Sequence, residues 1–159
     1  MRRQAIVLTV LGLWFNGPSR AQTGACVAPA AQYHKVNPQL LDAILAVESG
    51  HNPRAIGKNT NGTTDWGIGQ INTIHLDELR RHGIGTEQLL DACKGTYVAA
   101  WLLARQMRRY GNTWFAVGAY HSATPSHNQR YQTLVQRQLA RAGAYPPQAQ
   151  ESRARNTTR

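Results

Sequence analysis

The segment from about Asp91 to Tyr110 constrains this chain more than any other. Val98, Trp101, Leu102, Leu103, Met107 and Tyr110 recur at helical spacing and make a wide apolar face, too wide for a helix that touches the core along one narrow seam. Arg105, Arg108 and Arg109 suit the negative C-terminal end of such a helix, and Gly111 follows as a stop. The pattern predicts the central buried helix of an α-helical domain.

Neighbouring segments keep the same period. Asn37-Pro38 sets a capping Asn before a Pro at the first helical position, and the helix it opens ends before Gly50. Thr73 to Arg81 reads as a helix stopped by Gly83, Thr86 to Leu90 as a short one, and Trp114 to Tyr120 as a short buried one. Pro125 leads into a last helix carrying Tyr131, Leu134, Val135 and Leu139, closed by Gly143. From Ala28 onward no convincing run alternates apolar with polar residues. Trp66 to Asn72, punctuated by glycine, is irregular or briefly extended. Gly50 to Asp65 reads as a polar loop with a turn at Asn61-Gly62, and so long a loop in a small domain points to function. The fold class is all-α.

Met1-Arg2-Arg3, the apolar run from Ala5 to Phe15 and the small and polar residues after it have the order of a secretory leader. The run is short for a bilayer span, so the leader is read as removed, after Ala21 or, alternatively, after Ala25. Residues 1–21 are therefore assigned to a signal peptide, 22–144 to a single domain, and 145–159 to a disordered basic tail with Pro146-Pro147 and three arginines. Cleavage after Ala21 leaves 138 of the 159 residues, enough for one domain and one core. Export places the protein in the periplasm. There, Cys26 and Cys93 are most simply one disulfide, closing a loop worth roughly 4 kcal/mol of chain entropy, with two buried thiols as the alternative.

The formal charge of +10 falls to about +7 when Arg2, Arg3 and Arg20 leave with the leader. A basic surface implies an acidic partner. The positive residues are scattered and no nucleic-acid-binding signature accompanies them, so the wall polymer or anionic lipid is the more accessible polyanion and nucleic acid is not expected.

Glu48 carries the chemistry. It shares a stripe with Leu41, Ile44 and Leu45, and a carboxyl group in apolar surroundings keeps its proton toward neutral pH. That is the requirement for a general acid at a glycosidic bond. The competing reading is a solvated carboxylate turned outward at a helix end. Ordinary glycosidases use two carboxylates. Asp65, just before the glycine-rich stretch, is the candidate for a second, or else it caps a turn. Gly67 and Gly69 fail as a dinucleotide fingerprint because position 72 is Asn and no strand–loop–helix context precedes them. No GxSxG surrounds Ser49, and the six histidines lack HExxH or similar spacing, so no metal and no cofactor are expected. Of the tryptophans, Trp66 is the best candidate for a sugar platform.

Glu48-Ser49-Gly50, Gly67-Ile68-Gly69-Gln70-Ile71-Asn72 and Ala119-Tyr120-His121 form an ordered, widely spaced series. With the leader, the series resembles the soluble-lytic-transglycosylase family, over about Cys26 to Ala142. It is most similar to small exported members that accompany type III and type IV secretion machines, pili and conjugation systems. The resemblance implies a lysozyme-like α-helical fold with a glycan-binding groove. It implies Glu48 as catalytic acid, Ser49 orienting Glu48 or substrate, and a substrate-binding wall of Trp66, Gly67, Ile68, Gln70, Asn72, Tyr120 and His121. Gly69 stands where the family has Met, and His121 where it has Asn. Tyr120 is expected to reach toward Glu48 with its hydroxyl. Gln70 is expected either to bond substrate amides or to tie the loop to the Glu48 helix. The implied partners are peptidoglycan strands and envelope-spanning secretion, pilus or conjugation components. The implied reaction cleaves the bond between N-acetylmuramic acid and N-acetylglucosamine and forms a 1,6-anhydro ring. The alternatives are a lysozyme-type hydrolase using Asp65, or a wall-binding module without activity.

Overall fold

Asn37 does what its position in the sequence suggests: its side chain accepts a hydrogen bond of 3.0 Å from the Leu40 amide and opens a helix at Pro38. The computed structural model describes residues 20–144, so the leader core and the basic tail lie outside the described residues. Helices α1 (Arg20–His34) and α2 (Pro38–Ser49) come first. Three short strands follow, β1 (Ile56–Lys58), β2 (Thr64–Trp66) and β3 (Ile71–Asn72). The chain continues through a 3-10 turn at Thr73–His75 into α3 (Leu76–Arg80), α4 (Thr86–Leu89), α5 (Ala92–Tyr110), α6 (Trp114–Ala119) and α7 (Pro125–Arg141). No helix among the described residues is long and apolar enough to cross a membrane.

The expected central helix is α5, capped by the Asp91 carboxylate on the Lys94 amide. It packs against α1, α2, α4 and α6. Its buried surface extends beyond the large residues that marked it, since Gly95, Ala99, Ala100 and Ala104 are buried too and let neighbours approach closely. Cys26 and Cys93 form a disulfide with Cα atoms 5.3 Å apart, fastening α1 to the first turn of α5. Helix α1 continues through Pro29 and begins well before Ala28, where helical structure was expected to start. Helix α7 lies across α2 and α6. Between them the buried Asn128 amide donates to the carbonyls of Phe115 and Ser122, at 3.0 and 2.9 Å.

The polar loop expected from Gly50 to Asp65 is in part a hairpin. β1 and β2 pair antiparallel with Ile56 opposite Trp66, and β3 adds to β2 with Asp65 opposite Asn72. The hairpin turns at Asn61-Gly62, where Gly62 takes φ 84°. Strands of two or three residues are too short for a sequence pattern to detect alternation. The helix expected from Thr73 starts instead as a 3-10 turn, because the Asn72 side chain caps the Ile74 amide at 3.1 Å.

Candidate active site

Glu48 lies in the last turn of α2, whose buried face is Leu41, Ala43, Ile44 and Leu45. Gly50 closes the helix at φ 60° with its N–H on the Ala46 carbonyl, which fixes where the carboxyl group leaves the helix. The Tyr131 hydroxyl, from α7, donates to Glu48 Oε1 at 2.5 Å. Burial raises the pKa of Glu48 from 4.5 to about 7. The Tyr131 bond opposes that rise, and the negative charge of Asp65 adds to it. The solvated reading of Glu48 therefore gives way to a half-buried acid. It opens onto a cavity of about 400 Å³ lined also by Val47, His121, His127, Arg130 and Leu134.

The turn from Gly67 to Gln70 braces this acid from behind. The Ser49 hydroxyl, next to Glu48, donates to the Ile68 carbonyl at 2.8 Å and so joins the end of α2 to the turn. Ile68 itself is fully buried, and Gly67 and Gly69 are buried beside it. Gly67 and Ile68, both expected in the substrate-binding wall, are buried within this turn. A Cβ on Gly67, which has φ 71°, would lie 1.9 Å from the Leu89 carbonyl oxygen. One on Gly69 would lie 2.8 Å from Ala99 Cβ and 2.9 Å from the Tyr120 hydroxyl. The Tyr120 hydroxyl itself donates to the Gly69 carbonyl at 2.8 Å.

Tyr120 therefore reaches the turn, where it was expected to reach Glu48, and Tyr131 takes the acid. The two phenol rings stack with centroids 6.4 Å apart, and His121 lies flat on Tyr131 at 5.1 Å. Burial, with the negative charge of Glu48 nearby, pushes both phenols well above their ordinary range, so each acts as a neutral donor. Burial also lowers the His121 imidazole, and His127 adds to the effect. Gln70 donates to the carbonyls of Gly67 and Ala55, at 2.9 and 3.3 Å, and ties the turn to the segment before β1, with no bond to α2. Trp66, the expected sugar platform, is partly buried and packs against the core.

Asp65 sits on β2 with both oxygens held. The Asn72 amide donates to Oδ1 at 2.7 Å and the Asn59 amide to Oδ2 at 2.8 Å. Asn72 is spent on this clasp and on capping the 3-10 turn. Tyr131, Asn59, His127 and Arg130 were not singled out from the sequence. A tyrosine within an apolar stripe was the available signal for the first, because a buried hydroxyl must find a partner. Among the described residues no cluster of three or more His, Cys, Asp or Glu side chains could hold a metal.

A mainly α-helical chain with a small three-stranded sheet, and one half-buried carboxyl at the mouth of a cleft, defines a lysozyme-like domain. The chain belongs to the transglycosylase SLT domain family, whose model matches residues 25–141. It is 42% identical over 100 residues to invasion protein IagB of Salmonella typhimurium, a stretch covering 62% of each chain. It is 41% identical over 100 residues to protein IpgF of Shigella flexneri, covering 62% of this chain and 66% of that one. With the X polypeptide of Escherichia coli it shares 35% identity over 128 residues, 78% of this chain and 75% of the relative. The match thus spans somewhat less than two thirds of the Salmonella and Shigella proteins.

Proposed function

We propose that this protein is a peptidoglycan lytic transglycosylase. The observation that carries the reading is the Glu48 carboxyl group, held by Tyr131 and kept partly protonated near neutral pH, at the mouth of an open cavity. Glu48 gives its proton to the glycosidic oxygen between N-acetylmuramic acid and N-acetylglucosamine as the C1–O bond breaks. The neighbouring N-acetyl group stabilises the positive charge that develops at C1. Glu48, now a carboxylate, takes the proton from the muramic C6 hydroxyl as that oxygen bonds to C1. The product is a 1,6-anhydro ring, no water is consumed, and Glu48 ends as it began. Tyr131 supports both states: its donated bond holds the carboxyl in place and stabilises the carboxylate midway.

A second reading is favoured by the clasp on Asp65. Two amide donors keep its carboxylate oriented, as a hydrolase that positions a water molecule would require. The two readings differ in product. Mass spectrometry of fragments released from isolated peptidoglycan is expected to find 1,6-anhydromuramic ends with the native protein and none with Glu48→Gln. Reducing ends that vanish with the variant would establish the hydrolase instead. Absence of any fragments would favour a wall-binding module. We further infer an exported, periplasmic protein, with residues 1–21 as its leader, that opens the wall for a secretion, pilus or conjugation apparatus. The match to a relative named an invasion protein supports this role.

A further inference from the structure

The cavity beside Glu48 is lined by further side chains to which the cleavage step assigns no role. His127, Arg130, Tyr131 and Leu134 stand three or four residues apart on one face of α7, and all line the cavity. Tyr131 is committed to Glu48, while Leu134, 40% exposed, offers apolar surface to a ligand. Arg130 is exposed, and the ion pairs among the described residues are His51–Asp42, Arg80–Asp77 and Arg105–Glu78. Arg130 thus lines the cavity and forms no ion pair with a carboxylate among the described residues. His127 lies one turn earlier on the same face. A ligand complementary to this arrangement is neutral at the bond beside Glu48 and anionic a short distance away.

We infer that Arg130, assisted by His127, receives a carboxylate carried on the acyl or peptide substituent of the sugar next to the cleaved bond. The protein thereby selects glycan bearing acidic stems over bare glycan. A planar guanidinium suits a carboxylate because it donates two parallel hydrogen bonds. Val47 and Leu134 supply the apolar surface that the methyl-bearing parts of such a substituent need. This specificity rests on the glycan-cleaving reading of the site.

The test is binding by full-length Glu48→Gln protein to two soluble ligands, a muramic-acid disaccharide carrying an acidic tripeptide and the same disaccharide without peptide. The peptide-bearing ligand is expected to bind roughly tenfold more tightly, the size of one charge-assisted contact. Adding Arg130→Gln is expected to bring the two ligands within about twofold of each other. Adding Arg137→Gln, exposed on α7 and outside the cavity, retains the preference. Equal affinities in the parent, or a preference that survives Arg130→Gln, would overturn the inference. Product analysis with native protein separates the two failures. Anhydro products without a peptide preference sink this inference alone. A preference without cleavage upholds it and sinks the transglycosylase.

Discussion

The Tyr131 hydroxyl and the Glu48 carboxyl group meet at 2.5 Å across 83 positions of sequence, joining the last helix to the second. Because this bond works against the rise in Glu48's pKa, its loss has a definite sign. Tyr131→Phe is expected to push that pKa above about 7. A general acid loses activity as pH rises through its pKa, so the alkaline limb of the kcat/KM profile should move to higher pH. The rate at the optimum should fall about tenfold or more for want of the donor. A pH profile of both proteins on the same glycan checks this, and an unmoved limb would refute it.

Glu48 should also set a pH dependence of stability. Its folded pKa of about 7 lies above the ordinary 4.5, so the folded state holds the proton more tightly than the unfolded chain. The associated stability is fully present below pH 4.5 and is lost as pH rises through about 7. At about 1.4 kcal/mol per unit, the loss amounts to at most about 3–4 kcal/mol. Glu48→Gln should therefore raise Tm relative to the native protein at pH 8 and lose most of that advantage at pH 4. Thermal unfolding across that range would show it.

Restoring the family's residue by Gly69→Met should weaken this protein. The added Cβ would press on Ala99 and on the Tyr120 hydroxyl, and displacing either disturbs the bond that holds the turn. Overpacking of this kind costs about 1–3 kcal/mol, to be read from urea denaturation. Gly69→Met with Tyr120→Phe, which removes the hydroxyl, should recover part of the loss.

Replacing both Cys26 and Cys93 by Ser frees α1 from the start of α5. For a bridge spanning 67 positions, the loss of stability is expected to be about 4 kcal/mol. Since neither cysteine lines the cavity at Glu48, the folded fraction should keep its specific activity. Denaturation midpoints and activity per folded molecule separate the two effects.

Most of the helical frame could be read in the chain because its signals are local. Asn37-Pro38 and Gly50 bracket α2, and Asp91 and Gly111 bracket α5, each within a few residues of the end it marks. Glu48 was legible for the same reason, as a carboxylate in an aliphatic stripe one turn from a glycine cap. The sheet was not, since β1, β2 and β3 are held by pairing across the hairpin and carry no period of their own. Nor were the phenol partners. Tyr120 and Tyr131 stack side by side, and which hydroxyl takes the acid depends on how α6 and α7 dock. The crowding at Gly69, where a Cβ would meet Ala99 and the Tyr120 hydroxyl, was equally hidden, because it depends on how those residues pack against the turn.

The brace behind Glu48 draws on Leu89, Ala99 and Tyr120, and the bond in front of it on Tyr131. A chain that emerges from its N-terminus has Glu48 early and Tyr131 late. Without α7 in place, Glu48 lacks its Tyr131 partner and the cavity lacks His127, Arg130, Tyr131 and Leu134. The candidate site is therefore complete only once the last helix of the chain has packed onto the second.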